Sequence, residues 1–151
     1  FNSANGLLQG AYRVGVWHET STDKEGYYVT CDQMLYKENS DEDDSQGLGM
    51  FARYGDAQKS TYDMGSFWSV GCQYQGLLDG RDDDVVAVGY ATGDFSQTQG
   101  FTEDEAVVEA YYNIVVAPWI SITPSIQHVI NPGSGAADNV TVASVRAQIA
   151  M

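Results

Sequence analysis

Two histidines, two cysteines and two acidic runs are the groups in this sequence whose types suit metal binding or nucleophilic attack. The run Asp41-Glu42-Asp43-Asp44 invites a calcium loop. An EF-hand starting at Asp41 needs Gly at its sixth position and Glu at its twelfth, and Gln46 and Ala52 stand there. Both that run and Asp82-Asp83-Asp84 therefore read as solvated turns. His18 and His128 fall on different predicted strands, each near a strand end, and form no metal or general-base pair. Cys31 and Cys72 fall on predicted strands separated by a third. Neighbouring strands lie about 4.8 Å apart, so a two-strand gap exceeds disulfide reach. They are expected to be free thiols acting as small apolar groups. No G-x-S-x-G, no metal-ligand spacing and no Gly-rich phosphate loop occurs. The expectation is a protein that is not an enzyme and carries no cofactor and no metal.

What remains is chemistry of weak, reversible contact. Arg13, Arg53 and Arg146 are hydrogen-bond donors, Asp32, Glu105 and Glu109 are acceptors, and Gln73, Asn113 and Gln127 are amides that do both. Trp17, Phe51 and Tyr111 offer ring faces for stacking. With 7 Lys+Arg against 21 Asp+Glu, the formal net charge is −14. Nucleic acid is excluded as a partner, because phosphate neutralisation needs basic clusters. Ten Tyr and three Trp suit membrane interfaces and sugar-binding surfaces alike.

These residues are positioned by an alternation that runs through the chain. The stretch VVEAYYNIVVAPWISITPSIQHVI, 107–130, contains no Lys or Arg, yet Pro118 and Pro124 rule out a helix through it. Ala106, Val108, Ala110, Tyr112, Ile114 and Val116 form one set, and Glu105, Val107, Glu109, Tyr111, Asn113 and Val115 interleave with it. That is a strand with an oily and a wet face. After Ala117-Pro118, Ile120, Ile122, Ile126 and Ile130 alternate with Ser121, Thr123, Ser125, Gln127 and Asn131.

Six further stretches behave alike, which makes about eight strands within one domain over 1–151. LLQGAYRVGVWHE sets Leu8, Tyr12, Val14 and Val16 against Gln9, Arg13, Trp17 and Glu19. YYVTCDQMLY sets Tyr27, Val29, Cys31 and Leu35 against Tyr28, Thr30, Asp32 and Tyr36, with Gln33 an irregularity on the oily side. GLGMFARYG, DMGSFWSVGCQYQGL, VVAVGYAT and NVTVASVRAQIAM complete the series. Strands of about ten residues with alternating polarity are the mark of a transmembrane β-barrel. Connections alternate between shorter and longer, with KENSDEDDSQ an exception. The wet face carries isolated Arg among aromatics, amides and Gly, while Lys24, Lys37 and Lys59 fall in connections. Such a face suits a confined aqueous lumen better than open solvent. Outward Tyr12, Tyr54, Trp68, Tyr74 and Tyr112 read as interfacial girdle or subunit contacts. A small, closed, non-conducting eight-stranded barrel with a structural or adhesive role is the second reading. A soluble β-sandwich or lipocalin-like sugar-binding module is the third.

The segments GYYVTCDQMLY, GLGMFARYG, FWSVGCQYQGLLDGRDDDVVAVGYA and EAYYNIVVAPWISITPSIQHVINPG resemble the carbohydrate-selective porins of the OprB type. The matches run in order along nearly the whole chain. The resemblance implies an antiparallel transmembrane barrel in the bacterial outer membrane, with this chain as the C-terminal half of a 16-stranded wall. It further implies passive, selective diffusion of small sugars, outer-membrane lipid around the barrel and a homotrimer. The wet-face residues named above are then the candidate lining of the sugar path, with an intraluminal ion pair to Glu109 or Asp32 as the alternative role for each Arg. Cys31, Cys72 and Met151 depart from the family pattern, which more usually has small residues at the first two positions and an aromatic at the end. A bacterial outer-membrane location also makes the sequon Asn139-Val140-Thr141 irrelevant.

Overall fold

The computed structural model describes residues 9–21, 23–39, 45–57, 64–95 and 102–150. Leu8, the acidic run at 41–44, Lys59 and Met151 lie outside them. Eight strands follow in chain order: β1 (Gly10–Glu19), β2 (Lys24–Lys37), β3 (Gly47–Ala57), β4 (Met64–Gln75), β5 (Val85–Phe95), β6 (Glu105–Ala117), β7 (Ile120–Ile130) and β8 (Val140–Ile149). Each pairs antiparallel with its sequence neighbours, giving one sheet in the order β1 to β8. Pro118 and Trp119 alone connect β6 to β7, and Pro132–Gly135 form a short helical turn before β8.

Directly opposed residues of an antiparallel pair share a face, so the register shows which side chains travel together. One row runs Cys31, Ala52, Val70, Tyr90, Val108 from β2 to β6. This is the oily face, and much of it stands free: Val16 is 82% exposed and Val14 74%. Among the described residues, Ala106 is the apolar side chain that reaches the buried class. A sandwich would bury such a face against a second layer. This sheet has one layer, so its apolar face is built to meet a non-aqueous surrounding. Aromatics mark that face towards both strand ends. Tyr27 and Tyr54 meet at 5.9 Å between ring centroids and Trp68 and Tyr90 at 5.0 Å, while Tyr36 and Tyr74 meet at 6.4 Å towards the other end. Such girdles bracket the apolar band of outer-membrane barrels.

Three expectations are corrected here. Lys24 and Lys37 do not fall in connections but begin and end β2. Tyr36 belongs to the oily face, not the wet one. A register shift between Met34 and Tyr36 leaves Leu35 as an extra residue, and Tyr36 then opposes Leu48. Gln33, beside that bulge, is satisfied where it stands: the Tyr12 hydroxyl donates to its Oε1, and its amide donates to the Met34 carbonyl at 2.8 Å. The closed eight-stranded barrel also fails, because it needs a β1–β8 ladder. Among the described residues β1 and β8 are the two unpaired edges of an open sheet. Cys31 and Cys72 are free, as expected.

Candidate functional site

The wet face is organised by one cross-strand row: Asp32 on β2, Phe51 on β3, Gly71 on β4, Gly89 on β5, Glu109 on β6 and Gln127 on β7. Alternation put the four candidate residues on the same face, and register puts them on the same line. Two glycines in the middle leave the wall bare, and the Phe51 ring lies over them. A Cβ built on Gly71 would sit 2.6 Å from Phe51 Cε1, and one on Gly89 3.7 Å from Cζ. The same device recurs between β1 and β2, where Tyr28 covers Gly15 and Trp17 covers Gly26. Rings set over glycines of the wall shield its backbone there.

Arg13 and Arg53 converge on Asp32. Arg13 Nη1 donates to Oδ2 at 3.0 Å, and Arg53 Nη2 lies 3.5 Å from Oδ1. All three side chains remain well exposed, so the contacts fix geometry more than they stabilise the sheet. Arg53 also rests over the Phe51 ring, 4.6 Å from Cζ to the centroid. Further along the row, Gln127 Nε2 donates to Glu109 Oε1 at 3.0 Å. Asn113 donates to Thr123 Oγ1 at 2.8 Å.

Two hollows indent this face. One, of about 250 Å³, has Phe67, Ser69, Glu109 and Tyr111 in its lining. The other, of about 630 Å³, is flanked by Asp32 and Gly49. Phe51, Arg53 and Gln73 line both. Charges on the row and its neighbours largely offset, and each hollow combines a few polar groups with ring faces.

Three candidates stand apart. Arg146 lies on the exposed edge strand β8, opposite Thr123. Trp17 sits near the end of β1, away from both hollows. Glu105 begins β6, and its Oε2 accepts from the Gly133 N–H at 2.6 Å. That bond ties the turn between β7 and β8 to the wet side of the sheet, helped by Thr102 Oγ1 donating to the Ser134 carbonyl at 3.0 Å. His18 and His128 form no site. His18 lies 3.9 Å from Asp23, and His128 Nδ1 lies 2.9 Å from Thr141 Oγ1. Among the described residues no group of three His, Cys, Asp or Glu could hold a metal.

Reading Asp82-Asp83-Asp84 as a solvated turn missed one residue. Asp84 is only 3% exposed. It accepts from Arg81 Nε and Nη2 at 2.8 and 2.9 Å, from the Tyr112 hydroxyl at 2.5 Å and from the Val115 N–H at 2.8 Å. Burial pushes its carboxyl up, but the bonds from Tyr112, Val115 and Arg81 outweigh it and hold the group below the ordinary carboxylate range. The cluster pins the β4–β5 turn to the end of β6. Its only trace in the sequence is an Arg three residues before an Asp, which is too common to single out.

The family model described as carbohydrate-selective porin, OprB family, matches residues 9–151. Porin B of Pseudomonas aeruginosa is 26% identical over 148 residues, covering 83% of this chain and 32% of that protein. The high-pH structure of Pseudomonas putida OprB superposes with a TM-score of 0.83 at 22% identity, over 97% of this chain and 46% of the other. The chain thus spans about a third of one relative and just under half of the other. The superposition shows the fold, with this open sheet matching about half of a porin wall. With an unbacked apolar band outside and a polar, ring-studded face inside, the chain belongs to the carbohydrate-selective porin, OprB family, of outer-membrane β-barrels.

Proposed function

We propose that this chain forms about half the wall of a water-filled outer-membrane pore through which small neutral carbohydrates diffuse passively. The observation that carries this reading is the row Asp32, Phe51, Glu109 and Gln127 with Arg13 and Arg53 drawn onto Asp32. A sugar offers hydroxyl donors, hydroxyl acceptors and weakly apolar ring faces. Asp32, Arg13, Arg53 and Phe51 present an acceptor, donors and a ring within two strands of each other, and their paired charges favour no ionic solute. Each contact is weak, as a channel requires if it is to release what it admits. Gln73, Tyr111 and Asn113 extend the path, and Arg146 joins it at the β8 edge. Glu105 serves the path indirectly, by holding the β7–β8 turn on the wet side.

Eight strands alone close on an interior filled by side chains, whereas sixteen leave a channel. Conduction therefore needs further strands to pair with the edges of β1 and β8. The test begins with the intact mass of the native polypeptide extracted in detergent. A mass well above 16.4 kDa supports the half-wall reading, and sugar flux into liposomes then tests the pore. A mass matching these 151 residues, or a larger protein that passes no neutral sugar, refutes it. A homotrimer is part of this proposal and is checked by crosslinking in native membranes, where monomer alone would reject it.

A further inference from the structure

Resting on the pore reading above, we infer that Arg53 is a movable cover over a sugar-stacking platform formed by Phe51, and that a solute ring binds by displacing it. The wall closes one side of the Phe51 ring, whose Cε1 and Cζ lie 2.6 and 2.8 Å from where a Cβ on Gly71 would stand. The Arg53 guanidinium lies over the ring at 4.6 Å, on the side open to solvent. Phe51 as it stands thus has no free face for a sugar. Yet Phe51 and Arg53 sit between the two hollows and line both, so a solute moving along this wall from one to the other must cross them.

Arg53 is loosely held and has somewhere to go. Its side chain is about half exposed, and its bond to Asp32 Oδ1 is long at 3.5 Å, while Arg13 already occupies Oδ2 at 3.0 Å. Swinging the guanidinium from the ring towards Asp32 would exchange a cation–π contact for a tighter charge-assisted hydrogen bond. The sugar ring then takes the vacated face, and Glu109 and Gln73 lie in the same hollow to meet its hydroxyls. Arg53 is thereby a specificity-determining residue: it competes with the solute for Phe51, which keeps residence short.

The test uses the full-length porin in planar lipid bilayers, with glucose as the probe and the glucose concentration that half-blocks the ion current as the readout. Removing an exposed cation–π competitor with Arg53→Ala should lower that concentration about two- to fivefold. The gain should vanish when Phe51→Leu is added. A higher half-blocking concentration in Arg53→Ala would mean that Arg53 donates to the sugar, and would overturn the inference. So would an unchanged value, or a gain that survives Phe51→Leu. Arg53→Gln, which keeps a planar polar end without the charge, serves if the alanine variant fails to assemble. A wild-type protein with no ion current, or with a current untouched by glucose, instead refutes the pore reading on which the inference rests.

Discussion

Replacing Asp84 with alanine should loosen the β4–β5 turn from β6 without touching the wet face. The carboxylate accepts four hydrogen bonds: two from Arg81, one from Tyr112 and one from the Val115 N–H. Arg81 is 40% exposed and still reaches the Val115 carbonyl at 3.3 Å, so water takes over much of what it loses. The Val115 N–H is half-buried and regains less from water. Leaving that donor poorly paired, together with the lost bonds to a charged acceptor, amounts to about 2–3 kcal/mol. Urea unfolding of the native porin in lipid vesicles, followed by tryptophan fluorescence, measures this. Adding Tyr112→Phe to Asp84→Ala should change stability by less than about 0.5 kcal/mol, since both remove one network. If Asp84→Ala alone falls within about 0.5 kcal/mol of wild type, as an ordinary surface substitution does, the buried latch is refuted.

The depressed carboxyl of Asp84 also gives a pH dependence whose sign is fixed. A group held below its unfolded value of about 3.9 adds stability that is present above that value and is lost as pH falls through the folded one. Wild type should therefore lose urea resistance in that acid range more steeply than Asp84→Asn, and parallel pH profiles for the two would contradict it. On β5, Val88 faces outward and is 47% exposed, so Val88→Arg should cost about 2–4 kcal/mol in a bilayer. Its neighbour Ala87 stands on the wet face between Gln73 and Tyr111, so Ala87→Arg should leave folding yield intact and reduce ion current; equal folding yields for the two variants would contradict the assigned faces. Gly71→Val places branched carbons where the Phe51 ring lies, at a cost of about 1–3 kcal/mol. Displacing the ring into the lumen should lower single-channel conductance, and an unchanged conductance would mean that the ring does not lie on Gly71.

What the amino-acid sequence hides, it hides for a single physical reason. Face membership in a strand is local: side chains alternate with period two, so Asp32, Phe51, Arg53, Glu109 and Gln127 could be placed together from residue parity alone. What parity cannot say is which residue stands opposite which. That depends on turn lengths and bulges, and one extra residue transfers everything beyond it to the other face. Leu35 does this to Tyr36, which reads as wet and sits on the oily face across from Leu48. Asp84 hides for a related reason. A carboxylate in an acidic turn looks solvated until Tyr112 and Val115, 28 and 31 residues later, are brought over it by the β5–β6 register. The Phe51 platform combines both cases. Its pairing with Arg53 is two residues along one strand and is legible, but its seat on Gly71 and Gly89 spans three strands and is not. The residues that can touch a solute are therefore readable one strand at a time. Which of them can touch it together is decided by hydrogen-bond register, so the row from Asp32 to Gln127 becomes visible only when the sheet is assembled.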